Sequence, residues 1–270
     1  MAYKMLVLDL DDTLLRDDHT ISDRNKEMLL KAQELGVYVV LASGRPTPAM
    51  IDYAYDLNLP KYGSYILSFN GAVIMNMKDS SIVFEQSLSI EDVHALYDFS
   101  IQNKVHIITY INGKIISESK SSYIDVETNL TGMPFHQVET FKEAVYRDAI
   151  KCILLGEPSY LKEIEQILKL EMPHKNVSIS KPFFLEVTQQ GIDKAESLKR
   201  LATLLNIKQH EIIAVGNAGN DLSMVEYAGL GVWVDNVTPE LRDKADFIVA
   251  SNNNDGVAEV VERFILRLNA

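Results

Sequence analysis

The apolar run Met5-Leu6-Val7-Leu8 leads directly into Asp9-Leu10-Asp11-Asp12, so three carboxylates follow it within four positions. An apolar run this short, without alternation, suits a parallel strand covered on both faces. Residues two apart on a strand face the same way, so the spacing predicts that Asp9 and Asp11 converge. Open α/β sheets bind their ligands at the carboxyl ends of parallel strands. Carboxylates crowded there need a proton or a cation to compensate them. Mg²⁺, a hard cation that prefers carboxylate and carbonyl oxygen, is the natural partner. Taken alone, Asp11 and Asp12 also suit an ordinary turn after a strand.

Both ends of the chain alternate strand and helix. A helical period over Ile21–Leu35 follows the first run, with Ser22 as the expected N-cap and Gly36 as the stop. Strands are expected at Val37–Leu41 and Tyr65–Phe69, the second turning through Asn70-Gly71 into Ala72–Met75. From Ile192 the alternation returns, with strands at Ile212–Val215, Gly231–Val234 and Phe247–Val249 and a closing helix from Gly256. The middle behaves differently: Asn112-Gly113 joins two β-rich runs, and further strand and helix segments follow. The expected fold is α/β: a Rossmann-like parallel-sheet core of residues 1–82 and 191–270, interrupted by an α+β domain at 83–190.

Composition narrows the function classes. The chain has 270 residues, 47% of them hydrophobic, which excludes a disordered polymer and allows one large or two modest domains. With 26 Lys+Arg against 38 Asp+Glu, the net charge is −12, and no basic cluster offers a nucleic acid its usual footing. Cys152 is the only cysteine, so neither an intrachain disulfide nor a cysteine zinc site is expected. The N-terminal residues have no signal-peptide character. Apolar runs reach about six residues, against the roughly 20 a membrane helix needs. A cytoplasmic protein with no membrane partner is the expectation. The six histidines share no metal-ligand spacing, and Trp233 reads as a core residue.

Three further segments sit where strands end or helices begin. In Leu41-Ala42-Ser43-Gly44-Arg45, a small hydroxyl and a glycine after a strand suit a phosphate. In Gly191-Ile192-Asp193-Lys194, a lysine opens a helix against the dipole preference, which points to another duty. In Gly216-Asn217-Ala218-Gly219-Asn220-Asp221, two glycines and three oxygen-bearing side chains form an oxygen-rich loop.

In this order, these motifs resemble the haloacid dehalogenase-like superfamily, and most closely its Cof-type branch, in which a large cap separates the second and third motifs. The Phe69-Asn70-Gly71-Ala72 turn and the late Asp255-Gly256-Val257-Ala258 segment extend the resemblance along the whole chain. It implies a Mg²⁺-dependent phosphatase acting on a small phosphorylated metabolite, such as a sugar, nucleotide-pathway or cofactor-precursor phosphate. Asp9 is then the nucleophile, Asp11 the general acid/base, and Lys194 the cation that steadies Asp9 and the phosphate. Ser43, Gly44, Arg45, Asn70, Gly71 and Asn220 fall to substrate binding. Asp9, Asp11 (through its carbonyl), Asn217 and Asp221 fall to the metal. The cap residues Tyr110, Tyr123 and Phe183 are weak candidates for reading the organic part, since core packing accounts for each of them better.

Two positions depart from the family pattern. Asp12 stands where Gly is usual, at a site that needs an unusual backbone conformation; Asp tolerates left-handed geometry better than most residues. Asn217 stands where Asp is usual, which removes one formal charge from the metal shell and implies weaker Mg²⁺ binding. Phosphotransfer to an acceptor other than water, as in mutases, and a weakly catalytic phospho-ligand-binding regulator are the alternatives. A monomer or weak homodimer is expected.

Overall fold

The computed structural model describes residues 3–267. In chain order the strands are β1 (Met5–Leu8), β2 (Tyr38–Ala42), β3 (Tyr65–Ser68), β4 (Val73–Asn76), β5 (Ile82–Glu85), β6 (His106–Ile111) and β7 (Lys114–Ser117). They continue with β8 (Phe135–Gln137), β9 (Lys151–Leu155), β10 (Lys175–Lys181), β11 (Phe184–Gln189), β12 (Ile212–Gly216), β13 (Leu230–Val234) and β14 (Phe247–Val249). The chain divides into two compact units. One comprises the described residues up to Phe84 and from Asp193 onward; the other is Glu85–Ile192. The first boundary therefore lies at 84/85 rather than 82/83, because Ile82 begins a strand of the larger sheet. The return lies at 192/193 rather than 190/191.

The first unit is built on an eight-stranded sheet in the order β14-β13-β12-β1-β2-β3-β4-β5. Pairing is parallel from β14 through β3, and β4 runs antiparallel to β3. This is the α/β class the alternation implies. β1 lies at the centre, paired in register with β12 on one side and β2 on the other, and all four of its residues are buried. One face packs Leu6, Leu8, Val39 and Leu41 against the Asp23–Glu34 helix and the C-terminal helical turns; the other packs Met5, Val7 and Val40 against the Lys194–Leu204 helix. Ser22 caps the Asp23–Glu34 helix, its Oγ accepting from Asn25 N at 3.1 Å. Trp233 is fully buried, and its indole N–H donates to Leu241 O at 2.7 Å.

The second unit carries a six-stranded sheet, β10-β11-β9-β6-β7-β8, antiparallel except where β7 pairs with β8. Its apolar core sets Ile107, Cys152, Leu154, Leu185 and Val187 against the helices Ile90–Gln102 and Pro158–Glu171. Alternate residues of a strand point to opposite faces, so Lys151 lies on the face away from Cys152, where it meets Glu186 at 3.1 Å. Tyr110 is bonded there as well, donating to Glu127 Oε1 at 2.5 Å, while Tyr123 stacks on Phe183 at 5.3 Å. The helices Ser122–Thr131 and Phe141–Ala144 and strand β8 are not foreseen from the sequence. Their polar, short segments give no clean period.

Cys152 is fully buried, and desolvation pushes its thiol up to about 12. The thiolate is the reactive form. Native protein should leave an aromatic disulfide reagent unreacted over minutes at pH 8, and one thiol per chain should react on unfolding in guanidinium. Rapid labelling of the native chain would contradict the burial.

Candidate active site

β1 stops at Leu8, and Asp9 adds one more ladder bond, its N–H donating to Val215 O at 3.0 Å. The chain then coils through Leu10–Leu14, with Asp11 (φ −68°, ψ 127°) and Asp12 (φ 56°, ψ 15°) outside helical geometry. Asp9 and Asp11 are therefore not two residues of one strand face. Asp9 turns inward and is buried, whereas the Asp11 side chain is 45% exposed.

Lys194 opens the Lys194–Leu204 helix, whose N-cap Asp193 accepts from Glu196 N at 2.9 Å. The surface placement that a lysine usually takes does not occur here: its side chain has no exposure at all. Its ammonium donates to Asp9 Oδ1 at 2.6 Å and to Asp221 Oδ1 at 2.5 Å. The second oxygen of Asp221 accepts from the backbone N–H groups of Asn217 and Ala218, at 3.0 and 3.1 Å. Gly216 makes room for this: a Cβ there would stand 2.5 Å from the Asp221 Cβ. Expected as a metal ligand, Asp221 instead has both oxygens engaged, one holding the lysine and one closing the loop.

The charges settle accordingly. Burial raises the Asp9 pKa, Asp221 and Asp11 add to it, and Lys194 offsets only part, leaving Asp9 at about 7. Burial alone would lower the Lys194 pKa, but Asp221 and Asp9 together hold it above the ordinary lysine value. One ammonium thus faces two buried carboxylates, with negative charge in excess.

Ser43 is buried just past β2; its Oγ accepts from Arg45 N at 3.1 Å, and its carbonyl accepts from Asn70 N at 2.9 Å. Asn70 (φ 55°) lays its amide over Gly44, where a Cβ would come within 3.2 Å of Oδ1. That oxygen is buried without a hydrogen-bond partner. Gly71 (φ 97°) gives its carbonyl to Ser197 Oγ. The sequence thus brings Ser43, Gly44, Asn70 and Gly71 together. Arg45, expected on the substrate, grips Asp11 with two bonds of 2.9 and 2.6 Å and lies 5.4 Å over the Tyr53 ring. Asn217 Oδ1 accepts from Thr13 Oγ1 at 3.2 Å, and Asn220 is exposed and takes no part in these bonds. Thr13 and Ser197 are the site residues that sequence reasoning passes over. The only signal for Ser197 is its place three residues after Lys194, on the same helix face.

Among the described residues, no group of three or more His, Cys, Asp or Glu is arranged to hold a metal. Mg²⁺ does not demand such a cage, since it binds through one or two carboxylates and keeps waters or phosphate oxygens for the rest. The Asp9 oxygen not bonded to Lys194, the Asp11 carbonyl and the Asn217 amide oxygen, which accepts from Thr13, are the hard oxygen donors that would hold it. The uncompensated negative charge fits a cation.

An aspartate at about 7 in the fold and near 3.8 when exposed ionises more readily in the unfolded chain. Its charge therefore opposes folding, fully above pH 7 and less as pH falls through that value. In chelator, stability should rise by about 1 kcal/mol from pH 8 to pH 6, or about 2–4 °C in melting temperature. Asp9→Asn should flatten this part of the profile. Equal slopes for the two proteins would contradict the environment described for Asp9.

Known proteins resemble this chain over nearly its whole length. A family model described as haloacid dehalogenase-like hydrolase matches residues 6–261. A solved haloacid dehalogenase-like hydrolase from Bacteroides thetaiotaomicron superposes with a TM-score of 0.92 at 38% identity, over 97% of this chain and 99% of that one. The Bacillus subtilis (strain 168) protein named "Putative phosphatase YxeH" is 32% identical over 269 residues, 98% of this chain and 99% of the relative. The 5-amino-6-(5-phospho-D-ribitylamino)uracil phosphatase YcsE of the same strain is 28% identical, over 97% of this chain and 96% of the relative. With residues 6–261 matched by the family model and a 32%-identical relative aligned over 98% of its length, the chain belongs to the haloacid dehalogenase-like hydrolases.

Proposed function

We propose that the protein is a Mg²⁺-dependent phosphatase that hydrolyses a small phosphorylated metabolite through an aspartyl-phosphate at Asp9. The observation that carries this reading is the buried ammonium of Lys194 bonded to one oxygen of Asp9 and to Asp221, with the other Asp9 oxygen free of protein hydrogen bonds. An anchored carboxylate with one open oxygen is what a nucleophile needs.

The steps follow from the residues. The open Asp9 oxygen attacks phosphorus; a phosphorus–oxygen bond to Asp9 forms as the bond to the leaving alkoxide breaks. Protonated Asp11 gives its proton to that alkoxide. Asp11, now a carboxylate, takes a proton from a water that attacks the same phosphorus, and the bond to Asp9 breaks. Before this, the Arg45–Asp11 pair has to open, since both Asp11 oxygens are bonded to the guanidinium. The Ser43 hydroxyl, whose oxygen already accepts from Arg45 N, has its hydrogen left to donate to a phosphoryl oxygen. Catalysis of this kind rests on positioning and on charge stabilisation. Bound at the Asp9, Asp11 and Asn217 oxygens, Mg²⁺ would neutralise phosphate charge. The inserted unit is assigned the organic part of the substrate. The name of one relative makes 5-amino-6-(5-phospho-D-ribitylamino)uracil the first compound to try.

The test is a panel of phosphate monoesters, with and without Mg²⁺, with phosphate release as the readout and Asp9→Asn as the blank. Turnover should require both metal and Asp9. Migration of phosphate without its release would favour the mutase alternative, and activity surviving in Asp9→Asn would remove Asp9 as nucleophile. A second measurement addresses Asn217. Restoring a carboxylate with Asn217→Asp should lower the half-saturating Mg²⁺ concentration about tenfold, the order expected for one added charge on a cation. An unchanged titration would take Asn217 out of the metal shell.

A further inference from the structure

Asp12 takes no part in those steps, yet its backbone is irregular. A non-glycine residue at φ 56° and ψ 15° lies in the left-handed region, which L residues avoid. Its side chain is exposed, and its carboxylate makes no bond that explains the conformation. The explanation lies at its carbonyl, which accepts from Asn236 Nδ2 at 2.7 Å. Asn236 follows the end of β13, and its own Oδ1 accepts from Asn252 N at 3.1 Å. Asn252, buried after the end of β14, donates from Nδ2 to Leu15 O and to Asp17 Oδ1, each at 3.1 Å. The turn itself is closed by Leu15 N donating to Leu10 O at 2.9 Å. Two asparagines from neighbouring strand ends therefore grip the turn at Asp12 and at Leu15.

We propose that Asn236, backed by Asn252, is a positioning residue that locks Asp12 in the left-handed conformation. The Asp11–Asp12 peptide is planar, and Asp12 φ is one of the two rotations that set its direction. Were Asp12 to relax to negative φ, that peptide would turn, and the Asp11 carbonyl and carboxylate would turn with it. Asn236 touches neither substrate nor reacting atoms in this scheme; it acts through the backbone of its neighbour. The kinetic part of the proposal rests on the phosphatase reading above.

A double-mutant cycle tests it, because glycine takes the left-handed conformation freely. Asn236→Ala should lower kcat about tenfold with KM changed less than about twofold, since misplacement of a catalytic group acts on the chemical step. Adding Asp12→Gly to Asn236→Ala should recover kcat to within about threefold of Asp12→Gly alone. A merely structural role for Asn236 predicts no such rescue. Melting temperatures of the four proteins are the second readout: Asp12→Gly should stabilise more in the Asn236→Ala background than in the wild type. Wild-type kcat in Asn236→Ala, or no rescue in a folded double variant, overturns the proposal. Should the wild type turn over no substrate, the phosphatase reading fails and melting decides the lock. Equal effects of Asp12→Gly in the two backgrounds would then overturn it.

Discussion

One ammonium between two buried carboxylates organises the first unit. Lys194 ties the loop after β1, through Asp9, to the loop after β12, through Asp221, and it does so from the first residue of the helix that follows the inserted unit. Withdrawing three charges from water is costly unless each finds its partners, and losing one member leaves the others uncompensated. The arrangement satisfies the lysine and Asp221 almost completely, and Asp9 only in part. That asymmetry leaves Asp9 an open oxygen, and burial raises its pKa.

The fold supplies the geometry that the ion group needs. β1 and β12 are adjacent and parallel, so their carboxyl ends deliver Asp9 and the Gly216–Asp221 loop to the same place. β2 lies on the other side of β1 and brings Ser43 and Arg45. The hairpin of β3 and β4 then presents Asn70 against Gly44. The contributions of β1, β12 and β2 follow from parallel pairing at the sheet centre, where strand ends coincide and side chains from distant parts of the chain converge.

Much of this was legible in the sequence. Apolar runs that end in small or acidic residues marked β1, β2 and β12, and the motifs after them sit where the alternation put them. The reading failed where tertiary contacts decide. Alternation suggested that Asp9 and Asp11 share a strand face, but β1 ends at Leu8 and the two part company in the turn. A lysine at a helix start carries no mark of burial in a linear sequence; only Asp9 and Asp221, 185 and 27 residues away, make burial tolerable. Asn236 and Asn252 carry no sequence mark of their bonds to the turn, because those bonds run to carbonyls and a carboxylate more than 200 residues away. The Ser122–Thr131 helix escaped notice because its burial is confined to Ile124 and Glu127.

The point of re-entry of the inserted unit has a consequence for redesign. The chain returns to the first unit at Asp193, which caps the helix, and the next residue is Lys194. No linker separates the excursion from the charged centre. A foreign domain grafted between Phe84 and Asp193 would therefore inherit a strict boundary condition. It has to deliver the chain to Asp193 so that this residue keeps its extended conformation (φ −152°, ψ 164°) and still caps the helix that Lys194 opens.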